Sequence, residues 1–435
     1  MPLFVVHFAH FHLDFRLAEL EALATLENVR LSYDPRDYLA SSPFLKIELD
    51  SVDDARKLIQ RSILIKDIVE LWGAAESLDQ LIELVKADPD RWGNYMDVSF
   101  KFNVETFGVT LPMKVQVERI NRFAFLDFRG PIDLKTPDVT FAYYEDYGDN
   151  SLHGIPSPEA PLMTYFGVLV SSGNRSLVSK YDLKKREYLG ITSMDAELSL
   201  VMANQAQVKP GSFVLDPFVG TGSFLFTCAH FGAFTMGADI DGRQIRGKDD
   251  KSISSNVRQY NLEGRVLDNI VTDMAHHPWR QAEFWDAIVC DPPYGVRAGA
   301  KKIGHNSKVK PTADAIKANG EPRYPQTVPY EMHHVLEDLV EFSAKFLRPG
   351  GRLVYWLPTV TSEYKPEDVP QHPQFRLIAN SEQNFGKWAR RLITMEKIGS
   401  TENAGEGSAD GDATAQLPAH AGFRGKYFAP KDSRQ

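Results

Sequence analysis

At 435 residues the chain is too long for one ordinary domain, and its 43% hydrophobic content is enough for real cores. The apolar runs are short and broken by charges, which excludes a membrane span, and a formal net charge of -9 argues against broad electrostatic adhesion to nucleic acid while leaving room for a local basic surface. With only Cys228 and Cys290, each in an apolar stretch, a disulfide framework or a four-ligand zinc site is not expected, and a reducing cytosolic or nuclear compartment fits best, the cytoplasm being the expectation.

The opening MPLFVVHFAHFHLDF lacks a basic n-region and a small-residue cleavage site, which argues against secretion. Residues 3–9 read as a strand and 15–26 as a helix with Asp14 as N-cap. Strands at 29–33 and 44–49 follow. Ser51-Val52-Asp53-Asp54 reads as a capping box opening a helix through Arg61, and 63–71 closes the set as a strand. The order βαββαβ is ferredoxin-like and gives a first domain over 1–75, a scaffold that settles no function by itself. His7, His10 and His12 are close in sequence, but they lie on or beside a strand whose alternation suits burial, with no carboxylate-rich partner motif in view; no metal is expected.

Ser77-Leu78-Asp79-Gln80 caps a helix carrying Leu78, Leu81, Ile82 and Val85 on one face. Strands are expected at 99–106, 113–117, 123–128, 139–144 and 165–170. In this region RGPIDLKTPDVTFAYYEDY resembles the THUMP domain, an RNA-binding module of tRNA-modifying enzymes, which would occupy 76–172.

From about Arg175 longer helices alternate with apolar strands at 213–216, 234–239, 287–290 and 351–357, the pattern of a parallel α/β sheet spanning 173–398. Residues 399–420 are acidic, Gly- and Ala-rich and without aromatics, and read as a disordered linker. The basic, aromatic tail over 421–435 either docks back, touches RNA or frays.

The segment Phe213-Val214-Leu215-Asp216-Pro217-Phe218-Val219-Gly220-Thr221-Gly222-Ser223-Phe224-Leu225 runs strand, glycine turn, helix. Gly220 and Gly222 allow close backbone approach, and the helix start offers free N–H groups. A dinucleotide fingerprint wants a third glycine where Leu225 stands, and Asp216 would repel a pyrophosphate. A ligand with an ammonium group and no phosphate suits that carboxylate, which selects S-adenosylmethionine. One βα unit later Asp239, or alternatively Asp241, is placed to accept from both ribose hydroxyls, and Asp273 follows another strand, where it could accept from the adenine amine.

The sharpest signal is Asp291-Pro292-Pro293-Tyr294 after the apolar strand ending at Cys290, which resembles the (D/N)PP(Y/F) motif of amino-group methyltransferases. An exocyclic amino nitrogen is a poor nucleophile. Asp291 can accept from one of its N–H bonds and the rigidly held carbonyl of Pro292 from the other, while Asp291 stabilises the positive charge growing on nitrogen in an in-line displacement. Tyr294 would stack on a base drawn out of its helix. Beyond the tetrad Arg297, Lys301, Lys302, Lys308 and Lys310 form a basic loop read as contacting phosphate.

Lys180–Arg186, Gly190–Ala196 (with Thr192) and Met202-Ala203-Asn204, together with DPFVGTGSFLFTCAHFGAFTMGADID and DPPYGVRAG, make residues 1–398 similar to the catalytic subunit of the eukaryotic tRNA guanosine N2-methyltransferases that act on position ten. The resemblance implies a ferredoxin-like plus THUMP unit ahead of a Rossmann-like class I methyltransferase domain, tRNA as substrate, S-adenosylmethionine at Asp216, Gly220, Gly222 and Asp239, and a heterodimer with a small zinc-binding activator subunit covering apolar surface on one edge of the sheet. The tetrad alone leaves DNA or a protein glutamine amide open as substrate; the remaining alternative is a catalytically silent RNA-binding subunit, against which the intact motifs argue.

Overall fold

The computed structural model describes residues 2–149, 159–294, 300–304, 325–399 and 420. The chain divides into two compact units, Met1–Arg175 and Ser176–Gln435.

The first unit contains β1 (Leu3–Phe8), α1 (Arg16–Leu26), β2 (Phe44–Glu48), α2 (Val52–Arg61), β3 (Ile65–Ala75), α3 (Leu78–Lys86), β4 (Phe100–Phe107), α4 (Met113–Asn121), β5 (Val139–Asp146) and β6 (Met163–Ser172). Its strands form one six-stranded sheet in the order β2-β1-β3-β6-β5-β4. Thus the segments read as separate ferredoxin-like and THUMP domains share a sheet, joined where β3 pairs with β6 from Asp67↔Ser172 to Ala75↔Thr164. Ser51 and Ser77 cap α2 and α3 by accepting from the N–H groups of Asp54 and Gln80, and Leu78, Leu81, Ile82 and Val85 are buried as their spacing requires.

Four expectations give way. The α1 N-cap is Phe15, not Asp14, because a short 3-10 turn, Leu13–Phe15, precedes the helix. Residues 29–33 supply only a bridge, Ser32 to Glu48. The Val-rich alternation at 113–117 lies on α4, in which no residue is buried, so the alternation had no core face to report. The segment 123–128 holds a 3-10 turn, Ala124–Leu126, with Phe123 at its start and Leu126 at its end buried in the core.

The carboxylates missing from the sequence neighbourhood of the histidines arrive in space. His7 Nδ1 stands 3.4 Å from Asp67 and 3.6 Å from Glu105, acids that also engage Ser172 and Lys66.

The second unit continues with α5 (Ser176–Lys180), α6 (Ala196–Gln205), β7 (Phe213–Asp216), α7 (Ser223–His230), β8 (Phe234–Asp239), α8 (Gly242–Arg246), α9 (Ile253–Gln259), β9 (Val266–Val271), β10 (Trp285–Cys290), β11 (Lys301–Ile303), β12 (Thr327–Pro329), α10 (Met332–Phe346), β13 (Leu347–Val360), β14 (Phe375–Asn384) and β15 (Trp388–Lys397). The seven-stranded sheet runs β14-β15-β13-β10-β7-β8-β9, parallel from β13 through β9, with antiparallel β15 and β14 on one flank. Strand order reverses between β7 and β10, so the crevice above their C-terminal ends is where such a sheet receives ligands. Ile288, Val289, Leu353, Tyr355 and Trp356 are fully buried, matching the continuous apolar runs of doubly covered strands.

Candidate active site

Three carboxylates arrive at the C-terminal ends of three adjacent strands: Asp216 from β7, Asp239 from β8 and Asp291 just past β10. The backbone between Asp216 and α7 turns sharply, with Gly220 at φ +50 and Gly222 at φ +88. These are left-handed values that only glycine adopts without strain. A Cβ on Gly222 would also lie 3.0 Å from the Phe226 ring.

The turn is held from outside by the segment before α6. The Ser193 and Thr221 hydroxyls are 2.7 Å apart, Arg186 Nη1 donates to Ser223 Oγ at 2.7 Å, and the Met194 N–H donates to the same oxygen. A Cβ on Gly220 would lie 3.8 Å from Thr192 Oγ1, which puts Thr192 beside the glycine turn. Thr221, expected at the cofactor, is buried and paired with Ser193, so it clamps the turn.

Asp216 is buried. Its Oδ1 accepts from the Phe218 N–H at 3.0 Å, while Oδ2 is sealed from solvent without a hydrogen-bond partner among the described residues. Burial, reinforced by the charges of Asp239 and Asp291, pushes this acid well above the usual carboxylate range. Asp239 accepts from the Gly220 N–H at 2.9 Å and the Asp241 N–H at 2.8 Å, and burial still raises it. Each of its oxygens keeps a lone pair for a hydroxyl. Asp241 is engaged differently: Arg243 grips both its oxygens and holds it below the ordinary range. Between the two ribose candidates, the geometry leaves Asp239 available.

Asp273 is the expected site residue whose surroundings fit its assigned role least. Its carboxylate accepts from the N–H groups of Ala275 and Ile303 and contacts His276 Nδ1 at 2.8 Å. It therefore fastens β11 to the end of β9, with little capacity left for an adenine.

Asp291 follows directly on β10. Its side chain is about 20% exposed, yet Oδ1 is sealed and unpaired. Burial pushes its acid up to about 7 against the opposing charge of Arg390. Pro292 is buried, and Pro293 and Tyr294 are half-buried, with Tyr294 packed on the large core of the unit. Pro217 is buried, and Phe218 packs both on that core and on Ala300, Tyr330 and Val335. This seats the β11–β12 hairpin against the cofactor turn. Lys301 is exposed on that hairpin, and Lys302 Nζ lies 4.6 Å from the Tyr330 ring centre. Arg297, Lys308 and Lys310 lie outside the described residues, as do the rest of the basic loop, nearly all of the linker and the tail.

Two buried carboxylate oxygens without partners, on neighbouring strands and with acids held high, fit a cationic ligand. The fit is specific in sign: an ammonium or sulfonium relieves the mutual repulsion, and a phosphate aggravates it.

The Tmrp11 THUMP N-terminal domain family matches residues 2–175, and the RMKL-like methyltransferase domain family matches 184–307. The tRNA (guanine(10)-N(2))-methyltransferase of Schizosaccharomyces pombe is 39% identical, covering 99% of this chain and 97% of that protein. The chain belongs to the tRNA (guanine(10)-N2)-methyltransferase family. The Saccharomyces cerevisiae member is 40% identical over 93% of this chain and 95% of that protein, and human TRMT11 is 38% identical over 96% and 93%. For this methyltransferase family the donor is S-adenosylmethionine, a ligand whose positive charge matches the sign that the buried oxygens of Asp216 and Asp291 favour.

The sequence reading passed over Arg186 and Ser193, which lock the glycine turn, and Arg390, which faces Asp291. The first two were visible as polar residues within otherwise quoted motifs. Arg390 carried one faint signal, a pair of arginines inside an apolar strand.

Proposed function

We infer that this protein transfers a methyl group from S-adenosylmethionine to the N2 amine of a guanosine in tRNA, at position ten. The observation that carries the reading is Asp291: a carboxylate at a strand end whose Oδ1 is buried and unpaired, beside Asp216 with a second orphaned oxygen. S-adenosylmethionine supplies an electrophilic methyl on a positively charged sulfur. Asp216 attracts that ligand's cationic end, Asp239 accepts from its ribose hydroxyls, and the Gly220–Gly222 turn lets the backbone approach it. Asp291 Oδ1 accepts a hydrogen bond from the guanine amine and the Pro292 carbonyl accepts the other, which aims the nitrogen lone pair out of the ring plane. The negative charge of Asp291 stabilises the developing ammonium, and its basicity, close to neutral, suits it to take the departing proton. Tyr294 supplies a stacking face, and Lys301 and Lys302, with Arg297, Lys308 and Lys310, supply phosphate contacts.

A small zinc-binding subunit completes the enzyme in this reading. β9 is an edge strand carrying Leu267 and Val271, each about half exposed, and an added strand there would pair the free edge and cover both. The setting is cytoplasmic; among the described residues no helix is long and apolar enough to cross a membrane.

Labelled methyl transfer to tRNA, with and without the zinc subunit and followed by nucleoside analysis, tests the function. Labelled N2-methylguanosine is expected; label in DNA or on a glutamine amide instead would overturn it. Leu267→Asp with Val271→Asp is expected to abolish co-purification of the subunit while S-adenosylmethionine binding persists.

A further inference from the structure

Arg390 lies on β15, opposite Pro358 of β13, and its guanidinium sits 4.1 Å from the centre of the buried Trp356 ring. Its Nε donates to Gln383 Oε1 at 2.7 Å, and Nη1 stands 4.0 Å from Asp291 Oδ2. At 13% side-chain exposure, over an indole and tethered at Nε, this group is not presented to an outside phosphate. Its neighbour Arg391 points elsewhere, to Glu382, Asn380 and the Tyr364 ring. The two oxygens of Asp291 are thereby made unequal: Oδ2 faces a cation, and Oδ1 has no hydrogen-bond partner among the described residues.

We propose that Arg390 is a positioning residue of the catalytic tetrad, holding Asp291 ionised and turned so that Oδ1 is the oxygen offered to the substrate amine. The proposal rests on the reading of Asp291 as the amine acceptor. Among the described residues the other groups around Asp291 are acidic or neutral. Asp216 comes from β7, Cys290 from its own strand, and Tyr355, which lies near Cys290, from β13. Arg390 is the opposing charge that counters burial at this acid. Removing it leaves Asp291 to the desolvation that favours its neutral form, so the proton is lost only at higher pH.

The test compares wild type, Arg390→Gln and Arg390→Lys on tRNA, in the subunit composition that is active, across pH. With Arg390→Gln the acid limb of kcat/KM for S-adenosylmethionine is expected to move up by about one pH unit, and activity at neutral pH to fall about tenfold. Much of that loss should be recovered at alkaline pH, with KM for tRNA within about threefold of wild type. Arg390→Lys, which keeps the charge, is expected to leave the limb within about half a unit. A pH-independent loss, or a loss expressed as KM for tRNA with the limb unmoved, overturns the proposal. Should Arg390→Gln fail to fold by circular dichroism, Gln383→Ala, which frees Nε at the rim, decides: a smaller shift of the same sign supports the role, and no shift overturns it. Asp291→Ala run alongside separates the two readings. Near-normal turnover there defeats the acceptor role itself, whereas a dead Asp291→Ala with an unmoved Arg390→Gln limb defeats only the role of Arg390.

Discussion

At the scale of single residues, the site is a set of acids held against their preference for water. Burial pushes the Asp291 carboxyl up to about 7, on the order of 4 kcal/mol against its ionised form. Its folded-state acid lies above the unfolded one, so this group favours the folded state fully below about pH 4 and loses that contribution as pH rises through 7. Asp291→Asn is therefore expected to raise the thermal stability of the ligand-free protein at pH 8, by up to ~4 kcal/mol, and to leave it unchanged near pH 4, as unfolding scans at the two pH values would show. In the proposed mechanism the same substitution removes the charge that stabilises the reacting amine. Asp291→Ala should lose ~10²–10³ in turnover with cofactor affinity largely intact, measured by single-turnover kinetics beside calorimetry. A cationic ligand lowers the acids it approaches. Binding of S-adenosylmethionine near pH 6.5 should then release protons, seen as a dependence of the calorimetric heat on buffer ionisation enthalpy; a buffer-independent heat would contradict the arrangement of Asp216 and Asp291.

At the scale of elements, the glycine turn between β7 and α7 is the part most sensitive to a single methyl group. Gly222→Ala imposes a left-handed conformation worth ~1–2 kcal/mol on a residue with a Cβ and drives that Cβ toward Phe226. A tenfold or greater loss of S-adenosylmethionine affinity by calorimetry is expected, with the fold preserved. Here the sequence was explicit, because a positive φ favours glycine and a strand must precede the turn. α4 was read wrongly because its alternating valines satisfy a strand pattern while the helix buries none of them. Propensity and pattern speak about faces that pack, and an exposed element has none. The clamp formed by Arg186, Ser193 and Thr221 joins chain segments some thirty residues apart, and no local rule connects them.

At the scale of the whole molecule, each unit has its own sheet and its own apolar clusters. A fragment beginning at Ser176 is accordingly expected to fold and bind S-adenosylmethionine with near-native affinity, while its affinity for tRNA falls more than tenfold by filter binding. Equal tRNA affinity in the fragment would remove the N-terminal unit from substrate recognition. The acidic net charge makes the same point: a chain at -9 cannot hold RNA by overall charge, so the proposed binding rests on shape and a local basic segment.

The sequence alone determined the elements that carry chemistry, because their requirements are local. An apolar run followed by Asp-Pro-Pro-Tyr, or by Asp and a Gly-x-Gly turn, has few ways to fold, and an acid at the strand end selects the charge of the ligand. Tertiary structure alone decided which acids are free. It spent Asp273 on the β11 hairpin and Asp241 on Arg243, left Asp216 and Asp291 with orphaned oxygens, and set Arg390 across two strands against the tetrad. Availability of a carboxylate depends on what the rest of the chain brings within 4 Å of it, and that distance is fixed by strand order, not by sequence spacing.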